Sequence, residues 1–144
     1  MNTFSRLMEF VANHWALSLA FVVVSALLII NEIRTRLYGA PQLGPHAATQ
    51  TLNADNTVVL DVREENEYQQ GHLANAVHIP LGQLSKRIQE LEKFRNQTLV
   101  AYCRTGNRSN SAASLLRKQG FSSVFNLAGG IVAWQNANLP VTKK

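Results

Sequence analysis

The stretch Thr98-Leu-Val-Ala-Tyr-Cys-Arg-Thr-Gly-Asn-Arg-Ser109 passes from an apolar run to a polar loop within a few residues. Its first part, 98–102, is short, apolar and partly β-branched, which is typical of a strand buried on both faces. Cys103, the only cysteine of the chain, comes one step past that run, and a helical pattern follows Ser109. The stretch therefore predicts a strand, a tight loop and a helix, with the thiol at the start of the loop.

A loop of this kind directs backbone N–H groups toward its first residue, and the following helix N-terminus adds partial positive charge. Together with Arg104 and Arg108, this field favours the thiolate of Cys103 over the thiol. Gly106 permits the positive φ that a tightly curled loop requires. The alternative is a structural cysteine, but that residue would lie inside the apolar strand, not beside two arginines. We therefore predict that Cys103 is reactive.

Similar short apolar runs alternate with helical segments on both sides of this stretch. The predicted strands are 57–62, 76–79, 98–102 and 123–127. The predicted helices are 47–55, 64–70, 84–94, one whose inner face carries Ala112 and Leu116, and a last one through Trp134. Alternation of this kind predicts an α/β fold, a parallel sheet with helices on both faces. The ligand site of such a sheet lies beyond the carboxyl ends of its strands, where Cys103 falls.

Length, charge and cysteine content exclude several classes of protein. The chain has 144 residues, so it holds one ordinary domain and an appendage. A single cysteine excludes an intramolecular disulfide framework and a cysteine-rich zinc site. The net charge of +5 favours anionic partners, but the sequence has no basic stripe interleaved with aromatic residues. We therefore do not expect nucleic acid among its partners.

The apolar residues concentrate near the N-terminus. From Phe10 to Ile30 the sequence has no Asp, Glu, Lys or Arg, and a helix of that length matches a hydrocarbon core of about 30 Å. We predict a retained transmembrane helix. A cleaved signal peptide and a buried core helix are the alternatives, but no cleavage motif follows the run and no polar face interrupts it.

These features predict an N-terminal flank at 1–9, a transmembrane helix at 10–31, a linker at 32–45, a domain at 46–140 and a tail at 141–144. The linker prediction rests on the glycines and prolines between Tyr38 and Pro45. Arg34 and Arg36 follow the apolar run and only Arg6 precedes it, which places the C-terminal domain in the cytoplasm. The expected location is a single-pass protein of the bacterial inner membrane.

Four motifs resemble those of one family, in its order. Tyr102-Cys-x-x-Gly-x-Arg-Ser109 resembles the active-site loop of the rhodanese (sulfurtransferase) domains. The other three are Asp61-Val-Arg-Glu64 with Glu67-Tyr-x-x-Gly-His72; Ala76-Val-His-Ile-Pro80; and Gly120-Phe121 with Val124, Leu127-Ala-Gly-Gly130 and Trp134. The resemblance covers about 46–140. The N-terminal helix lies outside it, as in membrane-anchored single-domain members of the family.

The resemblance implies ping-pong sulfur transfer. Cys103 would take sulfur from a donor such as thiosulfate, hold it as a persulfide and pass it to cyanide, a thiol or a protein acceptor. The implied cradle for the persulfide charge comprises Arg104, Thr105, Gly106, Asn107 and Arg108, of which the two arginines are the candidates for guiding an anionic donor. Asp61 and Arg63 are expected to brace neighbouring loops. No cofactor is expected, and no metal either, because His72 and His78 have no further ligand at a suitable spacing.

Two other functions compete with sulfur transfer. Relatives that hydrolyse phosphate esters or reduce arsenate carry one more residue in this loop than the stretch 103–108, so the short loop favours sulfur transfer. The other alternative is a membrane-tethered docking module for a membrane-protein partner. We expect Glu67 and His72 to fix a turn, Gly129-Gly130 to form a tight turn beside the loop, and Trp134 to lie in the core.

Overall fold

The chain divides into two units, Met1–Leu37 and Tyr38–Lys144. A computed structural model describes residues 3–143 of them.

The first unit is helical. It contains α1 (Thr3–Asn13) and all but the last residue of α2 (Trp15–Tyr38). The window Trp15–Arg34 has a mean hydropathy of 2.3 and none of it is buried in the structure. By length and composition this one helix is long and apolar enough to cross a membrane, although a signal sequence meets the same criteria.

The second unit is built on a sheet of five parallel strands in the order β1-β5-β4-β2-β3. Its strands are β1 (Gln42–Leu43), β2 (Thr57–Asp61), β3 (Val77–His78), β4 (Thr98–Tyr102) and β5 (Ser123–Leu127). The apolar runs form the central strands because both of their faces are covered, which the sequence predicts. The predicted α/β fold is confirmed.

Helices cover both faces of this sheet. They are α3 (Pro45–Leu52), α4 (Glu65–Gln70), α5 (Leu81–Arg87), α6 (Asn107–Lys118) and α7 (Gly130–Asn136), and a 3₁₀ helix spans Ile88–Phe94. One buried cluster joins the sheet to α5, α6 and the 3₁₀ helix, with Leu60, Leu84 and Leu116 among its members. The other cluster, around Val100 and Trp134, lies under α3 and α7. As predicted, Trp134 is a core residue.

Two segments differ from the predictions. The helix predicted at 84–94 changes to 3₁₀ geometry at Ile88; Ile88, Leu91 and Phe94 still share one face there, because they are three residues apart. The segment 32–45 is not irregular throughout, since α2 continues to Tyr38 and Gln42–Leu43 forms β1. β1 lies beside β5 because the amides of Asn126 and Ala128 donate to the carbonyls of Pro41 (2.9 Å) and Leu43 (2.8 Å).

Candidate active site

Cys103 lies at the carboxyl edge of the sheet, directly after β4. Because β4 lies between β2 and β5, the loop that follows it is flanked by both neighbouring strand ends. Gly106 closes the loop with φ at +99°, a left-handed conformation, and α6 begins at the next residue. The predicted strand, loop and helix around the thiol are therefore present.

The sulfur of Cys103 accepts hydrogen bonds from its own loop and from α6. The Gly106 amide donates to Sγ at 3.1 Å and the Ser109 hydroxyl donates at 3.3 Å. Only 1% of the Cys103 surface is exposed. The donors that converge on Sγ are suited to a sulfur that carries negative charge.

These contacts set the acidity of the thiol. Burial by itself raises the pKa of Cys103, but the Ser109 hydroxyl and the backbone amides of Ser109, Gly106 and Thr105 act in the opposite direction. The hydrogen bonds prevail, so the pKa lies below the ordinary value for cysteine. The site therefore stabilises the thiolate of Cys103.

The two arginines of the loop have different surroundings. Arg108 forms a two-pronged ion pair with Glu67, in which Nη1 donates to Oε2 and Nη2 donates to Oε1, both at 2.8 Å. The hydrogen bonds from Arg108 lower the pKa of Glu67 to about 2. Arg104 is exposed and has no ion pair within residues 3–143. Its charge is the one available to an incoming anion.

A cavity of about 340 Å³ adjoins the loop. Arg104 lies on its wall, opposite polar groups from α4 and apolar groups from α7. The lining residues are Arg63, Glu67, Gln70, Gly71, Arg104, Ile131, Val132 and Gln135. A cavity of this size and polarity accommodates a small anion or the thiol end of a larger molecule.

Asp61 and Arg63 form a buried pair beneath this cavity. Arg63 Nη2 donates to Asp61 Oδ2 and to the carbonyl of Gly71, both at 2.7 Å. Asp61 also accepts a hydrogen bond from the Tyr102 hydroxyl. The pair thus connects the ends of β2 and β4 to the loop that follows α4.

Gly129 and Gly130 form the predicted turn beside the loop, with φ of +74° and +60°. A Cβ at Gly130 would lie 2.5 Å from the carbonyl oxygen of Cys103. The first amides of α7 hold the same peptide groups, because Ile131 N donates to Cys103 O (2.9 Å) and Val132 N donates to Arg104 O (3.2 Å). The close packing of α7 therefore fixes the backbone that carries the thiol.

Three contributions to the site were not predicted from the sequence. Ser109 was noted only as part of the motif, although its hydroxyl contacts the sulfur. Asn126 in β5 donates from Nδ2 to the carbonyl of Gly106 (3.0 Å) and to Gln42 Oε1 (2.8 Å). Glu67 was expected to fix a turn, but it also holds Arg108. A polar residue inside the apolar run 123–127 was the available signal for Asn126.

The residues of the predicted cradle differ in their relation to the sulfur. The Gly106 amide and the Ser109 hydroxyl donate hydrogen bonds to the sulfur, and the backbone amides of Thr105 and Ser109 also lower its pKa. The side chain of Arg108 also interacts with Cys103. Arg104 and Asn107 are exposed. Within residues 3–143, no three His, Cys, Asp or Glu side chains converge as metal ligands would.

The chain is similar to known proteins over most of its length. The profile of the Rhodanese-like domain family matches residues 45–137. An uncharacterized protein of Escherichia coli, YibN, is 25% identical over 139 residues, which are 96% of this chain and 97% of that protein. A sulfurtransferase of Allochromatium vinosum is 36% identical over 89 residues, 62% of this chain and 81% of its own length.

Solved structures agree with this relationship. A rhodanese-related protein of Thermoplasma volcanium superposes with a TM-score of 0.66 at 29% identity, over 72% of this chain and 99% of that one. A thiosulfate sulfurtransferase of Pseudomonas aeruginosa gives 0.64 at 25% identity, over 72% of this chain and 19% of that one. With the matched profile, the parallel sheet and the cysteine loop, these likenesses show that the chain belongs to the rhodanese-like domain family of sulfurtransferases.

Proposed function

We propose that this protein is a membrane-anchored sulfurtransferase that moves sulfane sulfur from a donor such as thiosulfate to a thiol or cyanide through a persulfide on Cys103. The observation that carries the proposal is the sulfur of Cys103, which accepts hydrogen bonds from Gly106 and Ser109 at the carboxyl edge of the sheet. The same donors that stabilise a thiolate stabilise the terminal sulfur of a persulfide.

In the first half-reaction the thiolate of Cys103 attacks the outer sulfur of thiosulfate. A bond forms between Sγ and that sulfur, the sulfur–sulfur bond of the donor breaks, and sulfite leaves with the bonding electron pair. The enzyme is left as Cys103–S–S⁻. Arg104, exposed on the cavity wall, attracts the dianionic donor, and the amides of Thr105, Gly106 and Ser109 receive the charge on the persulfide.

In the second half-reaction an acceptor attacks the outer sulfur of the persulfide. Cyanide leaves as thiocyanate, and a thiolate leaves as its own persulfide; in both cases the electron pair of the broken bond returns to Sγ. Because Cys103 is the only cysteine, no second thiol of the same chain can take up the sulfur. The acceptor is therefore an external small molecule or a protein thiol.

The anchor is part of the proposal. The part of the predicted 10–31 segment that lies in α2, from Trp15 onward, would span the bilayer, with the 46–140 domain on the cytoplasmic side of a bacterial inner membrane. The window Trp15–Arg34 supports a span by its length and hydropathy. The match to YibN covers 96% of this chain, so that relative shares almost all of the N-terminal segment as well as the domain.

Thiocyanate formation from thiosulfate and cyanide tests the proposed reaction. We expect turnover by the full chain in detergent, and background turnover by Cys103→Ala. Ser111→Ala is the matched control, since Ser111 lies exposed on α6 away from the sulfur. Turnover by Cys103→Ala, or its absence in a folded wild-type protein supplied with thiosulfate or polysulfide, would overturn the proposal.

A further inference from the structure

Apolar and polar residues occupy opposite sides of α1. Met8 and Val11 are exposed by 56% and 42% on one side, and Phe10, exposed by 57%, lies at the edge between the two sides. In the sequence, Phe4 and Leu7 precede Met8 and Val11 at the same helical spacing. Arg6, Glu9 and Asn13 follow one another at i, i+3 and i+7, which places them along the other side of the helix. An exposed apolar face of this kind is stable only where something removes it from water.

The length of α2 excludes α1 from the hydrocarbon core. The apolar window Trp15–Arg34 has 20 residues, so as a helix it extends about 30 Å and fills the core by itself. Only His14 separates α1 from α2, and the backbone hydrogen bonds His14 N to Phe10 O (2.9 Å) and Ser18 N to His14 O (3.0 Å) continue between them. α1 therefore ends, at Asn13, just before the membrane span of α2 begins.

We infer that α1 is an interfacial helix that lies on the bilayer surface, with Met8 and Val11 among the upper acyl chains and Arg6, Glu9 and Asn13 toward water. This inference rests on the proposed anchoring of α2. A segregated helix beside a membrane span satisfies both of its faces only in the plane of the headgroups. The helix axis would bend at His14, the residue between α1 and α2, and Trp15, exposed by 69%, would then lie at the depth that aromatic anchors occupy.

The partner is lipid in general and not an anionic lipid. Arg6 and Glu9 are the charged side chains of α1, and their charges cancel. The apolar face therefore supplies the attraction, and α1 should dock equally on neutral and anionic bilayers.

Nitroxide labels at single cysteines measure the depth of each position. The background is full-length Cys103→Ser in vesicles of phosphatidylcholine, with and without phosphatidylglycerol. Labels replace Arg6, Met8, Glu9, Val11 and Asn13 in turn, and a label at Val23 in α2 reports whether the span is inserted. We expect oxygen to collide preferentially with labels at Met8 and Val11. A water-soluble nickel chelate should collide preferentially with labels at Arg6, Glu9 and Asn13. The apolar side should lie roughly 5–10 Å below the headgroup boundary.

Several results would overturn the inference. A steady increase in depth from position 6 to position 13 would mean that α1 prolongs the span. Uniform access of the nickel chelate would place α1 in water. Dilution of the protein in lipid could also abolish the difference in oxygen and nickel access between the two sides of α1. That result would mean that a second copy of the chain covers the apolar face. Nickel access at Val23 would refute the anchoring itself, whereas sulfur transfer by Cys103 is judged separately, by thiocyanate formation.

Discussion

At the scale of single residues, the acidity of Cys103 depends on Ser109. The Ser109 hydroxyl donates to Sγ at 3.3 Å, and both groups are buried. A thiol in the same place without this donor would keep the burial that raises its pKa and lose one of the contacts that lower it. Ser109 is therefore a positioning and electrostatic residue for the nucleophile.

We predict that Ser109→Ala raises the pKa of Cys103, because it removes a hydrogen bond to the thiolate, and such a bond to a charged group contributes roughly 1.5–3 kcal/mol. Alkylation of the thiol by iodoacetamide should slow about tenfold near pH 7 and approach the wild-type rate at high pH. The measurement is the pH profile of the alkylation rate. Ser111→Ala is the control and should leave the profile unchanged; an unchanged profile in Ser109→Ala would contradict this role.

The ion pair between Glu67 and Arg108 makes stability depend on pH. The hydrogen bonds from Arg108 lower the pKa of Glu67 from 4.5 to about 2 in the folded chain. The unfolded chain therefore binds this proton at a higher pH than the folded chain does. The stabilisation is fully present above about pH 4.5 and is lost as the pH falls toward 2.

Glu67→Gln should accordingly be less stable than the wild type at pH 7, by no more than about 1 kcal/mol, because Arg108 and Glu67 are 34% and 25% exposed. The difference should shrink as the pH falls from 4.5 toward 2. Urea unfolding at a series of pH values measures it. Glu90→Gln removes a carboxylate from an exposed pair with Arg87 and serves as the control. A difference in unfolding free energy between Glu67→Gln and the wild type that stayed constant with pH would contradict the stabilisation of the Glu67 carboxylate by Arg108.

At the scale of elements, α7 fixes the loop that carries Cys103. Gly130 makes this contact possible because its Cα lies against the carbonyls of Cys103 and Arg104. Its φ of +60° also disfavours any residue with a Cβ. The loop and the start of α7 are thus packed as one unit.

We predict that Gly130→Ala lowers the free energy of unfolding by roughly 2 kcal/mol or more and reduces thiocyanate formation at least about tenfold, because the loop must move away from the new Cβ. Gly82→Ala is the matched control. Gly82 lies in α5 with open space around its Cα, so the change should be neutral or stabilising. Wild-type turnover by a stable Gly130→Ala protein would contradict the proposed contact.

Local patterns predicted the elements whose residues are neighbours in the sequence. β4 and β5 have the predicted bounds, because apolar runs of that length between polar segments form buried strands. The loop that begins at Cys103 was predictable for the same reason. Glu67 is 41 positions from Arg108, and Asn126 is 20 from Gly106. No local pattern relates such pairs, since the order of the strands in the sheet brings them together.

β1 likewise could not be predicted from a local sequence pattern. Its two residues are too few to show an alternation, and the glycines and prolines around it indicate a linker. It becomes a strand because the edge of β5 offers unpaired backbone groups. From β1, Gln42 reaches Asn126 and, through it, the carbonyl of Gly106.

At the scale of the whole molecule, the second unit begins at Tyr38 and includes β1. We predict that a chain of residues 38–144 folds in solution and forms thiocyanate at the rate of the full-length enzyme. A chain of residues 44–144 loses the hydrogen bonds to Pro41, Leu43 and Gln42. It should be less stable by about 2–4 kcal/mol and less active, since the side-chain amide of Asn126 loses one of its two acceptors.

Urea unfolding and thiocyanate assays on the two truncated chains check this prediction. Equal free energies of unfolding for the 38–144 and 44–144 chains would mean that β1 does not stabilise the domain. Inactivity of a folded 38–144 chain would mean that the N-terminal unit takes part in the reaction and does not only anchor the protein.

The central claim is that Cys103 carries sulfur as a persulfide, and the intact mass of the protein tests it most directly. After exposure of the full chain to thiosulfate we expect a gain of one sulfur, about 32 Da. The added mass should be absent in Cys103→Ala and should disappear on addition of cyanide. A folded wild-type protein with a free thiol that gains no sulfur from thiosulfate or polysulfide, or a gain that persists in Cys103→Ala, would contradict the claim.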